Sequence, residues 1–221
     1  IGKNKEVVVD MITASLYPMV GSVSIGDTLS CEENKDKILK NVGFVRQEIS
    51  KDFLEYSVMH HIARTLDQSN YMNNSITTRM KDALKMVGLD ESYLTRKIKT
   101  LSSGETKLMM MATALITNPK ILILEEPVLN LDLSNKKKVL KLIRLLREKY
   151  HKTILLVSED SNFLYQYTDY VLFTDDCNAI QLYRSEEAFL NIDLLLSHDV
   201  NLLIKQIKRA LNFIIIKTFV I

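Results

Sequence analysis

LSSGETKLMMMATALITNPKILILEEPVLNLD, residues 101–132, is the stretch whose reading decides the fold of this chain. Ser102 and Ser103 precede a run of helix-forming residues, where a hydroxyl can accept from the free N–H groups of a first turn. Asn118-Pro119 ends that helix, because the residue before a proline is steered out of the helical region. KILIL, residues 120–124, is then an unbroken apolar run. Strands buried on both faces read this way, which is the habit of parallel sheets. Glu125, Glu126 and Pro127 close the strand. Taken alone, an acidic pair there is more often a solvated strand end, and Ser-Ser-Gly more often a helix cap.

Outward from this block the elements alternate in type. Downstream, a helix is expected over 135–150, with Val139, Leu142, Ile143, Leu146 and Tyr150 on one face. TILLV at 153–157 reads as a second buried strand and 170–173 as a third. Upstream, 7–16 has helical spacing that stops before Tyr17-Pro18, while GSVSI at 21–25 and residues 42–45 read as strands. Between about 50 and 100 helical patterns dominate, with a helix over 78–87 ending at Gly88, a candidate C′ glycine. The alternation predicts an α/β fold: a mainly parallel sheet, helices on both faces and an inserted helical subdomain. The expected division is one domain over 1–221, with core at 1–49 and 101–184, helical subdomain at 50–100, and a C-terminal helical extension at 185–221.

Composition bounds the function. Of 221 residues, 47% are hydrophobic and 25% charged, which leaves ample material for a core. A net charge of +2, with no basic stripe interleaved with aromatics, argues against a nucleic-acid partner. Cys31 and Cys177 stand far apart with no CxxC pattern, which suits a reducing compartment. No run reaches the length of a bilayer span, and the apolar tail at 213–221 is interrupted by Lys217 and reads as a docking strand or helix end. Any spanning helices would have to come from other subunits.

The block at 101–132 resembles the signature, Walker B and D-loop motifs of ABC ATPases, whose usual form is LSGGQ, a helix, a hydrophobic strand ending in DEP, and a D-loop ending in LD. The spacing from the signature Leu to the Pro matches without a gap. VGFVRQ upstream ends in Gln47 at the Q-loop position, between a strand and the helical insert. The resemblance implies a P-loop NTPase-like fold, ATP and Mg²⁺ as cofactors, and a head-to-tail dimer in which each ATP lies between one subunit's Walker A and the other's signature. It implies that Ser102, Ser103 and Gly104 present a helix N-terminus to a γ-phosphate. Glu105 replaces the usual Gln, and the signature is expected to stay usable with that charge turned away. Glu126 takes the place of the catalytic carboxylate that polarises water. Glu125 stands where an Asp holds Mg²⁺ through water, and Gln47 where a Gln senses γ-phosphate and metal. Asp132 matches the D-loop Asp that links the two sites.

Against that family the chain departs at its start. Walker A reads GxxGxGK followed by Ser or Thr, a loop whose N–H groups wrap phosphates. Family spacing puts it at GKNKEV: Gly2 and Lys5 match, Asn4 replaces a Gly, and Glu6 and Val7 fall where the hydroxyls belong. Asn tolerates a left-handed backbone. Glu6 removes the Mg²⁺ hydroxyl and sets a carboxylate by the phosphates, at about 1 to 4 kcal/mol per like-charge pair at ~4 Å. An exposed polar start explains GKNKEV equally well. In TILLVSED, Glu159 stands where the family has its γ-phosphate-binding His. His60, His61 and His151 are not placed to replace it. The chain does not begin with Met and is expected to start inside a longer reading frame. The family's segment ahead of Walker A, with an adenine-stacking aromatic, would be absent by truncation or by decay of the gene; both readings stay open.

VGLDESYL at 87–94 and the layout of 185–211 resemble the ATPase subunits of energy-coupling-factor transporters, which import vitamins and metal ions. That resemblance implies a peripheral protein at the cytoplasmic face of the cell membrane. Its partners would be a second ABC ATPase subunit, a transmembrane scaffold and a substrate-binding membrane subunit. The expectation is the degenerate member of an unequal pair, lending Ser102 and Gly104 to ATP held by an intact partner. The alternatives are an ATPase in which Glu126 still hydrolyses, a non-enzymatic pseudo-ATPase with a structural or regulatory role, and a soluble ABC protein, which the single cassette and low net charge disfavour.

Overall fold

A computed structural model describes residues 5–68, 76–174 and 180–191. In chain order the elements are α1 (Lys5–Ile12), β1 (Ser24–Ile25), β2 (Thr28–Leu29), α2 (Lys35–Leu39), β3 (Val42–Val45), α3 (Val58–Gln68), α4 (Ile76–Met86), α5 (Ser103–Leu115), β4 (Ile121–Glu125), α6 (Leu133–Glu148), β5 (Thr153–Val157), α7 (Ser161–Tyr167), β6 (Tyr170–Thr174), β7 (Ile180–Arg184) and α8 (Ser185–Leu190). The fold is α/β, as the alternation predicts. It divides into two compact units, Leu39–Lys152 and the combination of Ile1–Ile38 with Thr153–Ile221.

The unit 39–152 is built on a parallel pair, with Val42, Gly43, Phe44 and Val45 of β3 opposite Ile121, Leu122, Ile123 and Leu124 of β4. Leu122, Ile123 and Leu124 are all fully buried, as the KILIL run requires. Helix α5 supplies the largest share of this core: Leu108, Met109, Met111 and Ala112 have no exposed surface. Gly43 is where helix and sheet approach most closely. A Cβ there would meet Pro119 Cγ at 2.8 Å, the Ala114 carbonyl at 2.9 Å and Leu122 Cδ1 at 3.1 Å. In α6, Val139, Leu142, Ile143 and Leu146 are buried on one stripe. Tyr150, expected on that face, is instead 42% exposed, because α6 stops at Glu148 and leaves it past the last turn.

Helices α3 and α4 and three 3₁₀ turns, Lys51–Phe53, Glu91–Thr95 and Ile98–Thr100, occupy the predicted helical stretch. Leu84 and Ile62 are completely buried there. Gly88 sits at φ 81 just past α4, the left-handed position a C′ glycine takes. Arg79 of α4 donates to the Ile116 carbonyl at 2.6 Å, satisfying an acceptor at the C-terminal end of α5.

In the other unit, α1 stops at Ile12, four residues before the expected end. The Ser15 N–H donates to the Asp10 carbonyl at 2.8 Å and the Ala14 N–H to the Met11 carbonyl at 3.3 Å, with Ala14 at φ 52. This is a Schellman termination, with alanine in the place glycine usually takes. GSVSI forms a strand only at its end: β1 pairs antiparallel with β2 across Gly26, at φ 59, and Asp27. Strands β6 and β7 are antiparallel, with Tyr170 opposite Arg184. The C-terminal helices expected beyond residue 191 lie outside the described residues.

Gly43→Ala is expected to destabilise by about 1–3 kcal/mol through overpacking against backbone and proline. Its urea midpoint should fall with an unchanged slope. A midpoint equal to wild type would show that α5 and β3 can part without cost.

Candidate functional site

Every site residue from Gln47 to Asp132 falls in the unit 39–152. Ser102 is the N-cap of α5, and a capping box is complete. Its hydroxyl accepts from the Glu105 N–H at 3.2 Å, and the Glu105 carboxylate accepts from the Ser102 N–H at 2.7 Å. The other Glu105 oxygen accepts from the Tyr93 hydroxyl at 2.5 Å and lies 3.6 Å from Arg96. These partners, the tyrosine bond first and the Ser102 N–H second, hold the Glu105 carboxyl below its ordinary range. Its charge is thus shared between Tyr93 and Arg96 before α5 and the Ser102 N–H at the start of α5. Ser103, the first helical residue, is exposed.

Gly104 is buried, and its lack of a side chain serves a packing purpose the sequence did not reveal. A Cβ would strike the Asn135 side chain, with Asn135 Cβ at 2.8 Å. Asn135 is held in turn by Asp132, whose Oδ2 accepts from its amide at 2.6 Å. Asp132 Oδ1 accepts from the Ser134 and Asn135 N–H groups at 2.8 and 3.0 Å and so caps α6. Signature turn and D-loop are therefore joined through one asparagine.

At the other end of α5's first two turns, the sheet and the Q-loop meet. The Gln47 N–H donates to Glu125 Oε2 at 3.2 Å, which brings two of the expected residues into direct contact. The longer Glu, in the place of an Asp, folds back onto the loop. Glu126 is 7% exposed and sits at φ 39, a left-handed backbone that costs a non-glycine residue about 1–2 kcal/mol. Between these groups lies Lys107, 5% exposed. Its ammonium donates to the Gln47 carbonyl at 2.7 Å, the Arg46 carbonyl at 3.1 Å and the Glu125 carbonyl at 3.4 Å. Burial pushes its pKa down to about 8, opposed by the fields of Glu125, Glu126 and Glu48. Lys107 was missed in the sequence, where its one signal is a lone charge inside the apolar run of α5.

Among the described residues no group of three or more His, Cys, Asp or Glu side chains could hold a metal by itself. A phosphate-bound Mg²⁺ does not need one, since it takes one or two protein ligands and keeps phosphate and water oxygens. The Glu125 carboxylate and the Gln47 side chain fit that limited role.

The remaining expected residues belong to the other unit. Gly2 and Asn4 lie outside the described residues. Lys5 and Glu6 open helix α1, and Val7 in its first turn is 39% exposed. Glu159 follows β5 and is exposed, just before Asp160, which caps α7 by accepting from the Phe163 N–H at 2.9 Å. The insert's histidines contact aromatic rings: His60 stacks on Tyr56 and His61 meets Phe53 edge-on.

The ABC transporter family profile matches residues 2–129, more than half of the chain. The energy-coupling factor transporter ATP-binding protein EcfA2 of Enterococcus faecalis is 27% identical over 192 residues, 85% of this chain and 66% of its own length. Its counterpart in Clostridium acetobutylicum is 29% identical over 197 residues, 88% and 69% of the two chains. An ABC transporter ATP-binding protein of Pyrococcus abyssi is 28% identical over 175 residues, 79% of this chain and 62% of its own. The chain thus spans 62% to 69% of the length of these relatives. Among solved structures, cbiO1 from Clostridium perfringens, part of the ABC transporter complex cbiONQ, superposes with a TM-score of 0.73 at 22% identity. The alignment covers 91% of this chain and 82% of that one, and at this identity it shows the shared fold.

The depressed Glu105 pKa fixes a pH dependence. The carboxylate's contribution is fully present above its ordinary pKa of 4.5 and is lost as pH falls through the lower folded value. Denaturation of wild type and Glu105→Gln from pH 7 to pH 3 should show wild type more stable at neutral pH and the gap closing in acid. A constant gap would mean that the charge plays no part.

Proposed function

The chain belongs to the ABC transporter family, and on that footing we propose that it is the nucleotide-binding subunit of a transporter of the energy-coupling-factor kind, acting as the weaker member of an unequal ATPase pair. The observation that carries this reading is the Ser102–Glu105 capping box, which orders the α5 N-terminus and commits the Glu105 carboxylate to Tyr93, Arg96 and the Ser102 N–H. An anion arriving there meets the positive end of a thirteen-residue helix.

In this reading Ser102 and Gly104 complete the site of an ATP held by the partner's Walker A. The chain's own site is weak, because Glu6 and Val7 replace the Mg²⁺ hydroxyls and Glu159 replaces an imidazole donor. Bound ATP and Mg²⁺ would supply the transferable phosphoryl group and the charge that neutralises it. Gln47 and Glu125 would face that metal, and Glu126 the water. The partners are a second ABC ATPase and membrane subunits that supply the spanning helices and select the substrate, with this chain on the cytoplasmic face. No helix among the described residues is long and apolar enough to cross a membrane.

The test is ATPase turnover of the complex purified with its co-isolating subunits. Ser102→Arg fills the signature turn and should lower turnover by about 100-fold, while Glu126→Gln should change it less than about twofold. The opposite pattern sinks the lending role and makes this chain the hydrolytic one. If neither substitution matters, the subunit is structural or regulatory.

A further inference from the structure

We propose that Lys107 is a positioning residue that ties the signature helix to the Q-loop and to the acidic end of β4, so that the three move as one piece. A lysine ammonium has three N–H donors and no acceptor. Here all three are matched, by the main-chain carbonyls of Arg46, Gln47 and Glu125. The contacts are to backbone, so they fix where the chain goes without occupying the Gln47 or Glu125 side chains.

The topology gives the link its reach. Lys107 lies three residues beyond Gly104 on α5, within one turn of the signature. Arg46 and Gln47 follow directly on β3, and Glu125 is the last residue of β4. The parallel pairing already holds Val45 against Leu124. Beyond that rung the Gln47 N–H bond to Glu125 and the Lys107 fork link the Q-loop to the acidic end of β4. The groups facing the ammonium are Glu125, Glu126 and Glu48, so its charge also offsets the mutual repulsion of three carboxylates. A neutral side chain of equal length would keep the packing and lose both effects. An unbonded carbonyl left buried is costly, which favours loop rearrangement over a silent gap.

The consequence for turnover rests on the lending role proposed above; the structural link does not. Lys107→Met and Lys107→Arg in the full chain test both. In Lys107→Met, amide exchange at Gln47 should rise at least about tenfold while the amides of 108–112 and 122–124 keep wild-type protection. In the complex with its partner subunits, kcat should fall about tenfold with KM for ATP within twofold, as expected when alignment is lost and ground-state binding is kept. Lys107→Arg retains donors and charge and should recover part of each effect. Should the Met variant fold poorly, the Arg variant read by the same exchange keeps the question decidable, with Gln47 exchange raised above wild type by the displaced fork. Wild-type exchange at Gln47 in the variants overturns the proposal. So does a uniform rise in exchange with a lower Tm and unchanged kcat, which would make Lys107 a buried structural cation. If Ser102→Arg leaves turnover intact in the same complex, the lending role fails alone, and exchange at Gln47 still decides the link.

Discussion

Parallel strands deliver their functional loops at one end, because both chains leave the sheet in the same direction. At that end their last carbonyls have no further strand to pair with. In this protein the problem is met by a buried cation: Lys107 reaches from α5 and satisfies the Arg46, Gln47 and Glu125 carbonyls together. The rest of the arrangement depends on this junction. It sets where the Q-loop departs, it holds Glu125 close enough to accept from the Gln47 N–H, and it anchors α5 one turn below its exposed N-terminus. A lysine in this position is costly to bury, and its depressed pKa records that cost. It is tolerated because every donor has an acceptor and three carboxylates stand near.

Helix capping supplies the second constraint, and here fold and site use the same atoms. Asp132 caps α6, and through Asn135 it fills the space above Gly104. The D-loop aspartate is therefore a structural residue first. Gly104 is required for Asn135 to pack, and on the proposed reading also for a phosphate to approach. Such double use explains why a small change in this block would disturb stability and chemistry together.

The parts of the fold legible in the sequence are those decided by local pattern. KILIL became a buried strand, and the stripe Val139, Leu142, Ile143 and Leu146 became the buried face of α6, since period and apolarity leave no better solution. What stayed hidden was decided by hydrogen bonds between distant residues or by an unusual choice of residue. The end of α1 was placed late because Ala14, at φ 52, does the work of a glycine and carries no glycine's signal. Tyr150 fits the apolar period but lies beyond the last turn. Gln47 and Glu125 were legible as separate positions, yet their contact spans 78 residues and no local rule implies it. Asn135 was invisible for the same reason, and Lys107 offered only its charge beside an apolar run.

The departures from the family pattern sort themselves by where they fall. Within the unit 39–152 each charged substitution has an accommodating partner: Glu105 is bonded to Tyr93 and Ser102, and Glu125 to the Gln47 N–H. These replacements keep the local geometry and redirect a charge. Glu6, Val7 and Glu159 belong to the other unit, and on the proposed reading they stand where the family has hydroxyls and an imidazole. On the proposed lending role, the capping box, the Asn135 packing and the three-carbonyl fork are the parts that have to be complete, while the hydroxyls and the imidazole belong to the site that would not be used. A subunit that presents its signature to another subunit's ATP needs the first set and can do without the second. That requirement separates the two sets along the same line as the two compact units.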